Sequence, residues 1–178
     1  MTVRTTFVGR LVIALMCIVG LSHAGPLTWP GISKIDFYNR TYVCERAKVT
    51  LKNGQYKKQG KPPHELWWLA YLDYADIDGD GEPEAIVSLR NIPSSSIIWA
   101  DDVFIFKMVK GQLHQIAHIW QEDLESIAVG DGSLVIVAPY WTEKDAHCCP
   151  SQKEKAVFAL KFGKLEKVSS TLTMIERK

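Results

Sequence analysis

Val103-Phe104-Ile105-Phe106-Lys107-Met108-Val109-Lys110-Gly111-Gln112-Leu113 carries the reading of the fold. Its opening residues are β-branched or aromatic and show no 3.6-residue period, so they read as a strand. The Lys110-Gly111 pair, flanked on both sides by strand-like residues, then reads as the turn of an antiparallel hairpin.

The same grammar extends in both directions. Ile35-Asp36-Phe37-Tyr38-Asn39, Val49-Thr50-Leu51, Ala85-Ile86-Val87-Ser88-Leu89, Leu134-Val135-Ile136-Val137 and Ala156-Val157-Phe158-Ala159-Leu160 are further strand candidates. Asn53-Gly54, Gly130-Asp131-Gly132 and Gly163-Lys164 supply the turns between them. Ala159-Leu160-Lys161-Phe162-Gly163-Lys164-Leu165 has the apolar, Gly, Leu order of residues 106–113, but irregular spacing argues against a repeat array. Short links favour consecutive antiparallel pairing. The expectation is an all-β fold: a single antiparallel meander of about eight strands, as a curled sheet or a sandwich. Residues 65–74 fit either a buried strand or one short helix. Residues 93–102 and 142–153 read as surface loops, too short to separate domains.

Composition agrees with one packed domain. Of 178 residues, 47% are hydrophobic and 23% charged, with 12 Gly and 8 Pro, which excludes disordered and low-complexity classes. A formal charge of +1 lacks the Lys and Arg excess that a dedicated nucleic-acid binder uses to displace counterions, so no nucleic acid is expected as a partner.

Residues 1–24 read as a cleavable export signal. Arg4 and Arg10 form the positive start, residues 11–21 an apolar run, and Ser22-His23-Ala24 a small-residue cleavage site before Gly25. The run is shorter than the ~20 residues that span a bilayer, so no membrane span is expected in the mature chain, residues 25–178. Met16 before Cys17 departs from a lipoprotein signal, which has a small residue there. Cleavage removes two Arg and no acid, turning the formal charge from +1 to −1, and leaves Cys44, Cys148 and Cys149. A secreted or periplasmic location follows, where disulfides persist.

The strongest chemistry lies in Asp76-Ile77-Asp78-Gly79-Asp80-Gly81-Glu82-Pro83-Glu84, which runs directly into the apolar stretch at 85–89. Carboxylates at alternating positions, a glycine for the sharp turn and one backbone carbonyl match the oxygen-rich shell that Ca²⁺ prefers. The expected ligands are Asp76, Asp78, Asp80, the Glu82 carbonyl and Glu84, with calcium as the cofactor. Val87 stands where an EF-hand has its bidentate Glu, so an EF-hand is excluded. The competing reading is an Asp-Gly turn whose acids solvate a hairpin tip. On the calcium reading, mutual repulsion among the acids requires a divalent guest.

Residues 76–89 resemble the acidic loop and strand of FG-GAP and VCBS repeats, a resemblance that implies calcium held at the edge of a β-blade. Leu72-Asp73-Tyr74-Ala75 stands in place of the Phe-Gly signature, and one loop occurs where a propeller has several. The order of Val49-Thr50-Leu51-Lys52-Asn53-Gly54, the acidic loop and Asp145-Ala146-His147-Cys148-Cys149-Pro150-Ser151 is similar to exported bacterial proteins of the LppP/LprE-like lipoprotein group. That resemblance implies an envelope location.

Cys148 and Cys149 fit a vicinal disulfide, a bridge from either to Cys44, or a reduced metal-binding pair. A structural bridge is favoured, because a thioredoxin-like site needs Cys-x-x-Cys. Zinc at His147, Cys148 and Cys149 is disfavoured, since adjacent residues rarely present both sulfurs to one tetrahedral ion. His114 and His118 read as surface histidines sharing one strand face. Trp67, Trp68, Trp120 and Trp141 are expected in the core, whereas Ile98 and Trp99, with Tyr140, Trp141 and His147, are candidates for a binding surface. The function these features favour is a non-enzymatic, calcium-stabilised β module of the bacterial envelope that binds a glycan or protein partner or serves assembly. A hydrolase using Glu122, Asp123 and Glu125, and an inhibitor of a cell-wall enzyme using the loop at 142–153, are the rival classes.

Overall fold

The computed structural model describes residues 31–58, 65–92, 99–130, 132–146 and 148–176. The expected signal at residues 1–24, Ile98 and His147 lie outside them. Eleven strands and one 3-10 turn (Ile32–Lys34) make up the regular structure of the described residues. The strands are β1 (Thr41–Val43), β2 (Lys48–Thr50), β3 (Gln55–Lys57), β4 (Leu66–Ala75), β5 (Glu84–Ile92), β6 (Ala100–Val109), β7 (Gln112–Glu122), β8 (Ser126–Gly130), β9 (Ser133–Tyr140), β10 (Gln152–Lys161) and β11 (Lys164–Met174).

All pairing is antiparallel, and the fold is all-β as expected. Strands pair with their neighbours in the chain, but they divide into three sheets, β1-β2, β3-β4-β5-β6-β7 and β11-β10-β9-β8, where one meander of about eight strands was expected. The break between the larger two falls at Asp123, whose φ of 47° turns the chain out of β7. Of residues 65–74, all but Glu65 resolve as strand within β4. Ile35 to Asn39, expected as a strand, is a turn: Asp36 Oδ1 accepts the N–H groups of Tyr38 (3.0 Å) and Asn39 (3.1 Å), taking both away from a ladder.

The five-stranded sheet is covered on both faces. Ala85, Val87 and Leu89 of β5, with Phe104 and Phe106 of β6, meet Phe37, Tyr42, Val49 and Leu51 from the β1-β2 layer. Ile86, Val103 and Ile105, which alternate with them, meet Leu134, Ile136, Ala138 and Leu160 of the four-stranded sheet. Period-two alternation with two buried faces explains why residues 85–89 read as a near-continuous apolar run, interrupted only by the buried Ser88. Beneath the first layer, the Tyr42 hydroxyl donates to the Phe37 carbonyl at 2.6 Å, holding the 35–39 turn against the core.

Three hairpins close through two-residue turns with one geometry: Asn53-Gly54 (φ 51° and 77°), Lys110-Gly111 (51° and 78°) and Phe162-Gly163 (51° and 74°). Two positive φ values in succession suit the right-handed twist of the flanking strands. At Gly54 the requirement is also steric, since a Cβ there would lie 2.8 Å from the Tyr38 ring.

Candidate metal centre

The acidic loop joins β4 to β5 and is wound around its own first carboxylate. Asp76 accepts the N–H of Gly79 through Oδ1 (2.7 Å) and that of Gly81 through Oδ2 (2.9 Å). Asp80 Oδ1 accepts the Glu82 N–H at 2.9 Å, and Asp78 Oδ1 that of Asp80 at 3.2 Å. Positive φ at Gly79 (78°) and Gly81 (90°) permits the tight path. Ile77, 2% exposed, anchors the loop in the core between the two larger sheets.

Glu84 enters from the other side. It opens β5, is fully buried, and accepts the Ile77 N–H through Oε2 at 2.9 Å. One oxygen each from Asp76, Asp78 and Glu84 can lie within 4.8 Å of one another, which is the separation of ligands around a single cation. Of the expected ligands these three converge. Asp80 is not one of the three and contacts the Lys107 ammonium, and the Glu82 side chain is exposed, as expected for a residue that was to offer only its carbonyl.

The residue that sequence reasoning missed is Lys107. Its ammonium pairs with Asp78, with Asp80 Oδ2 at 2.8 Å and with Glu84 Oε1 at 3.0 Å. The Glu84 contact is an ion pair whose angles fall outside hydrogen bonding. Lys107 therefore supplies positive charge to the cluster from within the chain, and acid repulsion by itself does not demand a divalent guest. A signal for it existed in the alternation, because Val103 and Ile105 are inward-facing and Lys107 is the next residue on that face.

Electrostatics follow from this packing. Burial pushes the Glu84 carboxyl pKa up, against the opposing pull of the Ile77 N–H and the Lys107 ammonium. Partial burial disfavours the charge of Lys107, but Asp78, Asp80 and Glu84 outweigh it and hold its pKa above that of an ordinary lysine. The Lys107 hydrogen bond keeps Asp80 below the usual carboxylate range. All donors offered here are hard oxygens, the set that magnesium- and calcium-class cations take.

Other candidate residues scatter over the fold. Cys148 and Cys149 are bonded to each other in an exposed loop, while Cys44 is unpaired and buried, so the structure realises the vicinal pairing. That loop is organised by Asp145, whose Oδ2 accepts the N–H groups of Thr142 (2.7 Å) and Ser151 (3.1 Å) and the Ser151 hydroxyl (2.9 Å). Trp67 is buried in the core, Trp68, Trp120 and Trp141 are half-buried, and Tyr140 is exposed. Trp99 is partly exposed, edge-on to Trp68 and covered by the Arg90 guanidinium at 4.8 Å.

His118 departs from the surface role expected of it. It stacks on Phe104 at 4.7 Å, and its Nε2 lies 2.6 Å from Oδ1 of the buried Asp102, which also accepts the Glu45 N–H at 2.8 Å. The cause is a bulge: Ala117 pairs with Ile105 and Gln115 with Phe106, leaving Ile116 without a partner and changing the facing of the residues beyond it. Burial, then the Asp102 carboxylate, pushes the Cys44 thiol pKa up, opposite to what an activated nucleophile needs. The acids of the rival hydrolase reading are dispersed, with Glu125 paired to Lys153 at 3.1 Å and Asp123 serving as a turn.

Comparison with family models, curated proteins and solved structures returns no match to this chain.

Proposed function

We propose that this chain is a non-catalytic β module of the bacterial envelope whose acidic loop binds a divalent cation of the calcium class. The observation that carries the reading is the convergence of Asp76, Asp78 and the fully buried Glu84 within 4.8 Å at the mouth between two sheets. An ion there would crosslink the loop to the first residue of β5. Lys107 fills the electrostatic need when no ion is bound, and a cation would have to displace it, so binding is expected to be weaker than in a lysine-free loop. Export is supported by the pattern of residues 1–24 and by the resemblance to envelope proteins. The exposed Trp99 and Tyr140 are the aromatic faces a glycan or protein partner would meet.

Thermal melting with added calcium and with chelator tests the reading in the wild type, Asp78→Ala and Lys107→Met. Wild-type Tm should rise with calcium concentration, Asp78→Ala should not respond, and Lys107→Met should respond at lower calcium. A flat response in both the wild type and Lys107→Met would overturn cation binding and leave Lys107 as the permanent counter-charge of a structural turn.

A further inference from the structure

The β10-β11 hairpin ends in Lys161-Phe162-Gly163-Lys164, and this tip is built against its own stability. Phe162 is 106% exposed, so its ring gains nothing from the core. It also occupies φ 51°, a left-handed conformation that suits Asn, Asp or Gly and is unfavourable for a bulky side chain. Lys161 and Lys164 are direct cross-strand partners, both exposed, and like charges placed opposite one another repel.

The other two turns of the same geometry provide an internal control. Asn53 and Lys110 hold the position equivalent to Phe162, and the pairs flanking those turns are Lys52 with Gln55 and Val109 with Gln112. Folding thus requires neither an aromatic ring nor a lysine pair at such a turn. Local rules broken together at one exposed point mark a site that works on something outside the chain.

We infer that this tip docks on an anionic lipid surface, with Phe162 entering the headgroup region and Lys161 and Lys164 facing lipid phosphates. The chemistry is complementary at each position: an apolar ring on a protruding turn gains by leaving water, and two cations that repel in solution are both neutralised by an anionic plane. One ring and two charges give a weak, reversible contact. The inference is independent of the metal centre.

Vesicle co-sedimentation tests it, comparing phosphatidylglycerol-containing vesicles with pure phosphatidylcholine, alongside hydrogen exchange of the tip. Phe162→Asn installs the residue of the Asn53-Gly54 turn, so it should fold at least as well as the wild type, and Tm checks this. Wild type should sediment with the anionic vesicles in a salt-sensitive way and show protection of residues 160–165. Phe162→Asn should lower the bound fraction about five-fold, Phe162→Trp should retain it, and Lys161→Gln with Lys164→Gln should lower it and flatten the salt dependence. Equal sedimentation of wild type and Phe162→Asn, equal binding to neutral and anionic vesicles, or an unprotected tip would each overturn the proposal. Hydrogen exchange reads the tip itself, so membrane affinity from the apolar run at 11–21 does not mimic the result.

Discussion

Lys107 Nζ lies 3.0 Å from Glu84 Oε1, one step beyond the register pair Ala85 and Phe106 at the end of β5 and β6. The carboxylate is fully buried, while the lysine keeps 14% of its side-chain surface exposed, so the charge reaches the interior from a partly wet stem. This geometry makes Lys107 the natural first target for mutation.

Lys107→Met should destabilise the chelator-treated protein by about 2–4 kcal/mol at pH 7, because the buried Glu84 carboxyl loses its counter-charge. Equilibrium urea unfolding reads the change. In a double-mutant cycle with Glu84→Gln, the two losses should be strongly non-additive. Simple additivity would show that the pair contributes no coupling.

A second clasp controls the crossing between the larger sheets. Arg90 Nε donates to Asp101 Oδ1 at 2.9 Å, its Nη2 donates to the Leu124 carbonyl, and Asp101 Oδ2 accepts the Leu124 N–H at 3.2 Å. Arg90→Ala should cost about 3 kcal/mol and loosen residues 122–126 first, as measured by unfolding and by amide exchange. Unchanged protection at Leu124 would contradict this role.

The pH dependence has opposite signs at two sites. Glu84 has a folded-state pKa above its unfolded value of 4.5, so its contribution is full below pH 4.5 and is lost as pH rises through the folded value. Asp145, held at about 2 mainly by the Thr142 N–H, contributes fully above its unfolded 3.8 and loses that contribution as pH falls through about 2. In the Lys107→Met background, adding Glu84→Gln should therefore help stability more at pH 7 than at pH 4, compared with Lys107→Met alone. Asp145→Asn should be less stable than the wild type at pH 7 and equal to it near pH 1.5. Unfolding curves across pH would expose a reversed sign at either site.

Thiol chemistry should divide along burial. In the native protein, a small reductant should open the exposed Cys148–Cys149 bond, after which alkylation labels two thiols, and Cys44 should react only on unfolding. The bond closes a loop of adjacent residues and confers little chain-entropy stabilisation, so reduction should move Tm by no more than about 2 °C. Mass spectrometry of labelled peptides settles the order of reaction.

What the sequence disclosed followed the strength of its local patterns. The β5 run and the Asn53-Gly54 and Lys110-Gly111 turns were legible because burial on two faces and positive φ each leave a compositional mark. Asp76, Asp78 and Glu84 were legible because alternation in a glycine-containing loop folds onto a point. Lys107 was hidden, since its partner lies across the β5-β6 ladder and only the register brings them together. The contact between His118 and Asp102 depends on the unpaired Ile116, and a one-residue bulge has no sequence signature there.

Every strand in the two larger sheets lies beside its chain neighbour, so residues 55–122 complete one sheet before any residue of the other is required. Such an order suits folding in step with synthesis, from the earlier sheet onward. The leading hairpins can form as they emerge, and the trailing four strands close onto an interior already in place.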